Sequence, residues 1–204
     1  MRRGSVFRTI GGLRAPKEAL DIAILSLLVL VLCRNVLFRE GIFLTGTDAP
    51  AILVLSSLPI RHGWEWLLSN WWPYYSLGHL SEWASPLSYL LTFLSWMVGA
   101  QLVYRLYVLA IPLVAALGMY LFSSRLVGSR AAGYASALVY LFNPRFLINL
   151  FVGHHYLLNL YAVCPLLFLL WDRVARSDDL RVCLAAGVLT SVFVITNNNA
   201  YALI

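Results

Sequence analysis

The sequence is poor in charge. Only 12% of its 204 residues are Asp, Glu, Lys or Arg, while 61% are hydrophobic. A water-soluble domain carries about a quarter charged residues and about half apolar ones. An oversized soluble core explains that deficit poorly, because the apolar residues gather in runs about as long as a bilayer is thick. Cysteine is scarce too. Cys33, Cys164 and Cys183 fall inside apolar segments, and no C-x-x-C spacing occurs. They read as small buried hydrophobes rather than metal ligands. No small-residue cleavage site follows the basic N-terminus, and the apolar run there is too long for the core of a signal peptide. That run reads as a retained first span. No internal repeat is present.

The net charge of +6 would suit nucleic acid if the cations formed one stripe. They flank the apolar runs instead, so nucleic acid is excluded as a partner and membrane lipid takes its place. The chain reads as an all-α membrane protein with about five transmembrane helices: about 19–38, 101–122, 131–151, 155–171 and 182–204. Residues 1–18 form a basic N-terminal segment and 19–204 the membrane domain. Arg2, Arg3, Arg8, Arg14 and Lys17 precede the first span. Arg125 and Arg130 separate the second from the third, and Arg173, Arg176 and Arg181 the fourth from the fifth. The opposite side receives Arg39, Arg61 and Arg145, with Arg105 just inside span two. The bias places the N-terminus in the cytoplasm and the protein in the plasma membrane as a multi-pass chain. The last span is still apolar at Ile204, so the sequence is expected to be the N-terminal piece of a longer protein.

Residues 39–100 then form one external loop. It holds Trp64, Trp66, Trp71, Trp72, Trp83 and Trp96, six of the seven tryptophans. Tryptophan favours the membrane interface, where ring and N–H are both accommodated. Ala49 to Leu58 and Pro86 to Val98 read as amphipathic helices lying on that interface.

The residues able to carry chemistry collect at the same outer boundary. Asp48 lies in Gly46-Thr47-Asp48-Ala49-Pro50. It can cap the following helix, or act as general base or ligand of a divalent cation such as Mg or Mn. His79 and Glu82 are three apart and would share a face on a helix, as would His62 and Glu65. A solvated loop face accounts for both pairs equally well. Arg145, in Asn143-Pro144-Arg145, stands against the charge bias, and its planar fork suits a phosphate. His154 and His155 follow in the same outer connection, where interface anchoring is the plain alternative. Arg34 lies one turn from the outer end of span one and can snorkel. Asn197, Asn198 and Asn199 serve as interhelical hydrogen-bonding groups or ligand contacts.

One span, a long external loop with an early acid, and then a helical bundle resemble the C superfamily of integral-membrane glycosyltransferases (GT-C). Within it the chain looks most like the YfhO-like and archaeal "6-pyruvoyl-tetrahydropterin synthase-related" membrane proteins. The resemblance rests on Gly46-Thr47-Asp48-Ala49-Pro50, Ser85-Pro86-Leu87-Ser88-Tyr89-Leu90, Phe142-Asn143-Pro144 and Gly153-His154. It implies transfer of a sugar from a polyprenyl or dolichyl phosphate outside the cytoplasm, with Asp48 as the first-loop acid. Arg145 with His154 or His155 would stabilise the departing phosphate, and Glu82 and His79 would be secondary. The paired Asp-x-Asp of some members is absent here. Two rivals stand beside this expectation: a polyprenyl-lipid transporter or flippase, and a non-catalytic membrane assembly subunit in which Asp48 only caps a helix.

Overall fold

The computed structural model describes residues 15–38, 71–72, 79–80, 86–152, 155–176 and 179–196. These are almost entirely helical. Helices α1 (Ala15–Leu32) and α2 (Arg34–Phe38) come first. A two-residue antiparallel pair follows, β1 (Trp71–Trp72) with β2 (His79–Leu80), in which Trp71 faces Leu80 and Trp72 faces His79. Then come α3 (Pro86–Val98), α4 (Ala100–Val127), α5 (Arg130–Leu141), α6 (Pro144–Val152), α7 (His155–Ala175) and α8 (Leu180–Thr196).

Helix α4 is the axis of the bundle, packing against α1, α2, α3, α5 and α7. Its 28 residues extend about 42 Å. Two glycines set its limits. Gly99 separates it from α3 at a φ of 92°, and Gly128 ends it in the left-handed region at a φ of 71°, which glycine adopts without a Cβ clash. Ser129 then caps α5 by accepting from the Ala132 N–H, so α4 and α5 form an antiparallel hairpin.

Contacts along α4 give the directions of the other helices. Tyr107 meets Asn159, Gly118 meets Pro165 and Leu166, and Phe122 meets Phe168, so α7 runs parallel to α4. Asp21 meets Tyr120 and the Leu37 carbonyl meets Arg105, so α1 runs antiparallel. The C-terminal ends of α4 and α7 therefore lie together with the beginning of α1.

Burial on α1 is inverted relative to a soluble helix. Asp21, Leu25, Val29 and Cys33, spaced four apart, are buried. Leu20, Leu27 and Val31 are exposed, Leu27 by 63%. Val29 and Cys33 join Ile111, Ala115, Leu141, Phe146, Leu158 and Ala162 in the main core. Among the described residues, two helices are long and apolar enough to cross a membrane, α4 and the Leu158–Ala175 part of α7.

Several expectations change. The apolar run 131–151 is two helices, α5 of 12 residues and α6 of 9. Pro144 has no N–H for the Tyr140 carbonyl, so the helix ends and restarts. The first span breaks at Cys33 between α1 and α2. Pro86–Val98 is helical as expected, but it packs on α4 and α8 and buries Ser95. The second span runs on to Val127, so Arg125 stands in its last turn. The expected helix 49–58 lies outside the described residues.

Candidate functional site

Asp21, 1% exposed, forms the densest polar contact in the bundle. The four-residue stripe on α1 turns it toward the α4–α5 hairpin. There Oδ2 accepts from Arg130 Nε at 2.6 Å and from the Tyr120 hydroxyl. Oδ1 accepts from Arg130 Nη2 and, at 2.7 Å, from the Tyr134 hydroxyl. The two tyrosine rings meet at 5.3 Å, tilted by 59°. Arg130 is side-on and bidentate, the strongest ion-pair geometry. Each carboxylate oxygen takes two donors, which fills the acceptor capacity of an ionised aspartate. Asp21 is therefore a tie between α1, α4 and α5 rather than a base. The guanidinium is different: its side chain is 51% exposed, and Asp21 takes only two of its five N–H groups.

The other half of the bundle holds a second group. Tyr107 donates to Asn159 Oδ1 at 2.9 Å. Tyr140 and Tyr161 stack with centroids 4.0 Å apart. Each hydroxyl donates to the other's carbonyl, at 2.7 and 3.0 Å. Both carbonyls lie four residues before a proline, Pro144 or Pro165, and so lack their usual helical donor.

Arg145 stands in the first turn of α6. Asn143 Oδ1 accepts its backbone N–H at 2.9 Å, and Pro144 fills the first helical position, as a capped helix start favours. Its neighbour Phe146 is buried against the Tyr161 ring at 5.2 Å, which fixes α6 and leaves Arg145 outside. Its carbonyl accepts from Asn149 Nδ2. Among the described residues no carboxylate pairs with its guanidinium. Arg34 is exposed at the start of α2. By the registers above, both arginines and the beginning of α7 at His155 lie toward the Ala100 end of α4, away from Arg130.

Asp48, His62, Glu65, Glu82, His154 and Asn197–Asn199 lie outside the described residues, as do the side chains of His79 and His155. The helical-face reason for pairing His79 with Glu82 fails at His79, which is in strand β2. Of the seven candidate residues, Arg34 and Arg145 alone have described side chains, and no contact joins them. Among the described residues no group of His, Cys, Asp and Glu could hold a metal ion.

Asp21 escaped the sequence reading, although its signal was present: an acid two residues inside an apolar run. Such a residue is costly to bury and is expected to face a partner. Arg130 was counted only for its side of the membrane. No family model, no curated protein and no solved structure matches the chain.

Proposed function

We propose that this chain is an integral-membrane glycosyltransferase that crosses the bilayer five times with its N-terminus in the cytoplasm. It takes a sugar from a polyprenyl or dolichyl phosphate on the extracytoplasmic side. The crossings are α1 with α2, α4, α5 with α6, α7 and α8. Helices α5 and α6, together about 30 Å when in line, make one crossing. The observation that carries the reading is Arg145: an exposed guanidinium without a described carboxylate partner, held on a capped helix start in the half of the bundle away from Arg130. A fork in that state suits the donor's phosphate.

In the reaction, the acceptor's nucleophilic atom attacks the anomeric carbon while the Asp48 carboxylate takes its proton. The bond from that carbon to the phosphate oxygen breaks with inversion. Arg145, with His154 or His155, receives the charge developing on the lipid phosphate. Glu82, His79 and Arg34 are the remaining substrate-binding residues of this reading.

The rival readings differ in the bundle interior. Polar contacts at Asp21, Tyr107–Asn159 and Tyr140–Tyr161 are closed between helices, which suits a fixed bundle more than a path for a lipid head group. The test is sugar transfer from a polyprenyl-phosphate donor in proteoliposomes. Asp48→Asn keeps size and capping ability but cannot act as a base, so transfer should fall about 10²–10⁴-fold with melting unchanged. Arg145→Lys, keeping charge without the fork, should be milder. Transfer unaltered in Asp48→Asn would overturn the mechanism drawn on Asp48 and favour the assembly-subunit or transporter reading.

A further inference from the structure

We propose that the joined ends of α4, α5 and α7 bind the phosphate of an anionic glycerophospholipid, with Arg130, Arg125 and Arg173 as its ligands. The inference rests on the membrane reading above but not on sugar transfer. Because α7 runs parallel to α4 and Phe122 contacts Phe168, Arg125 and Arg173 come to the same end of the bundle. Arg130 enters from the other side of the Gly128–Ser129 turn. Both Arg125 and Arg173 are exposed, and neither has a carboxylate partner among the described residues.

Arg130 differs from an ordinary surface arginine. Asp21 holds it through Nε and Nη2, so its fork is fixed before any ligand arrives, while its side chain stays half exposed. Preorganisation of this kind lowers the ordering cost of binding. Among the described residues, two of the acids at this end are already paired. Asp21 is consumed by Arg130, and Asp172 by Arg176 at 2.7 Å. Glu18 is exposed in the first turn of α1, and Asp179 stands before α8.

Beside the cations the surface is apolar. Leu126 is 65% and Val127 63% exposed, immediately after Arg125, and Phe168 and Trp171 are exposed on α7. A free phosphate would leave these side chains in water. A lipid supplies the phosphate and covers them with its acyl chains, and basic groups between helix ends on the cytoplasmic side are suited to such head groups. The chemistry therefore selects a phosphodiester attached to hydrocarbon.

The experiment uses the full chain in nanodiscs containing phosphatidylglycerol and phosphatidylcholine, with retained lipid measured by native mass spectrometry. Phosphatidylglycerol should be retained preferentially. Arg125→Gln and Arg173→Gln should each weaken retention about fivefold. Arg130→Lys, which keeps a cation for Asp21 but loses the fork, should weaken it also without unfolding the bundle. Millimolar inorganic phosphate should not compete. Equal retention of both lipids, variants that bind like the wild type, or displacement by inorganic phosphate would each overturn the site. A chain that does not enter the bilayer would overturn the membrane reading with it, whereas loss of preference in an inserted chain overturns this inference alone.

Discussion

At the scale of single residues, Asp21 and Arg130 are unequal partners. Asp21 is buried and Arg130 is half exposed. Removing the arginine leaves a carboxylate in an apolar setting with two tyrosine hydroxyls, while removing the aspartate leaves a guanidinium that can turn outward. A buried charge without its counter-ion is the costlier state. Arg130→Gln should therefore lower the melting temperature more than Asp21→Asn does. The double variant Asp21→Asn/Arg130→Gln should melt above Arg130→Gln alone, since no bare carboxylate remains. Tyr134→Phe removes one of four donors and should be the mildest, about 1–3 kcal/mol. Thermal melts of the four proteins in one detergent check the order. If Arg130→Gln is the milder single variant, Asp21 does not depend on this pair. The sequence made part of this legible. An acid within an apolar run announces that it needs a partner, but it does not say that the partner lies 109 residues away.

At the scale of elements, two prolines on different helices are compensated reciprocally. Pro144 frees the Tyr140 carbonyl and Pro165 frees the Tyr161 carbonyl, and each is taken by the other tyrosine's hydroxyl. Within a helical bundle, carbonyls freed by proline need donors from neighbouring helices. The reciprocal spacing, a tyrosine four residues before each proline, is visible in the sequence, but the stacking that makes it useful is a tertiary fact. Tyr140→Phe should cost about 1–3 kcal/mol by leaving the Tyr161 carbonyl bare. Most of that penalty should vanish in a Pro165→Ala background, where residue 165 can donate along the helix again. Chemical denaturation of the double-mutant cycle reads this directly, and an equal penalty in both backgrounds would remove the proposed compensation. Glycines give a second contrast between elements. A Cβ at Gly133 would lie 2.9 Å from Tyr120 Cδ2 and 3.0 Å from Ser124 Cβ, whereas one at Gly187 meets nothing within 4 Å. Tyr120 cannot withdraw without losing Asp21. Gly133→Ala should thus destabilise by about 1–3 kcal/mol through overpacking, and Gly187→Ala should stabilise by up to about 1 kcal/mol through helix propensity.

At the scale of the whole molecule, α1 buries Asp21 with Leu25 and Val29 and leaves Leu20, Leu27 and Val31 outside, an arrangement that fits the proposed bilayer setting. Composition and run length made the helical class and the order of long helices legible. Hydropathy could not show the break at Pro144, because the run 131–151 stays apolar through Phe142 while one missing N–H ends the helix. The early acid and its histidines could be named from motif order, but their mutual geometry depends on loop residues beyond those described, so only Arg145 and Arg34 gain a place in space. What the helix directions add is a physical basis for sidedness. The beginning of α1, the α4–α5 turn and the end of α7 share one end, so the described cations Arg125, Arg130, Arg173 and Arg176 lie toward the same end. In the proposed topology the positive-inside bias assigns that end to the cytoplasm. Cysteine labelling tests the arrangement in a background with Cys33, Cys164 and Cys183 replaced by alanine. A membrane-impermeant maleimide applied to intact cells should modify a cysteine placed at Ser69. One placed at Ser177 should react only after permeabilisation. Labelling at Ser177 from outside would invert the chain, put Arg145 in the cytoplasm, and with it remove the extracytoplasmic donor site. Labelling of both positions from outside would show that the number of crossings between them is even, against the odd number that α4, α5 with α6, and α7 provide.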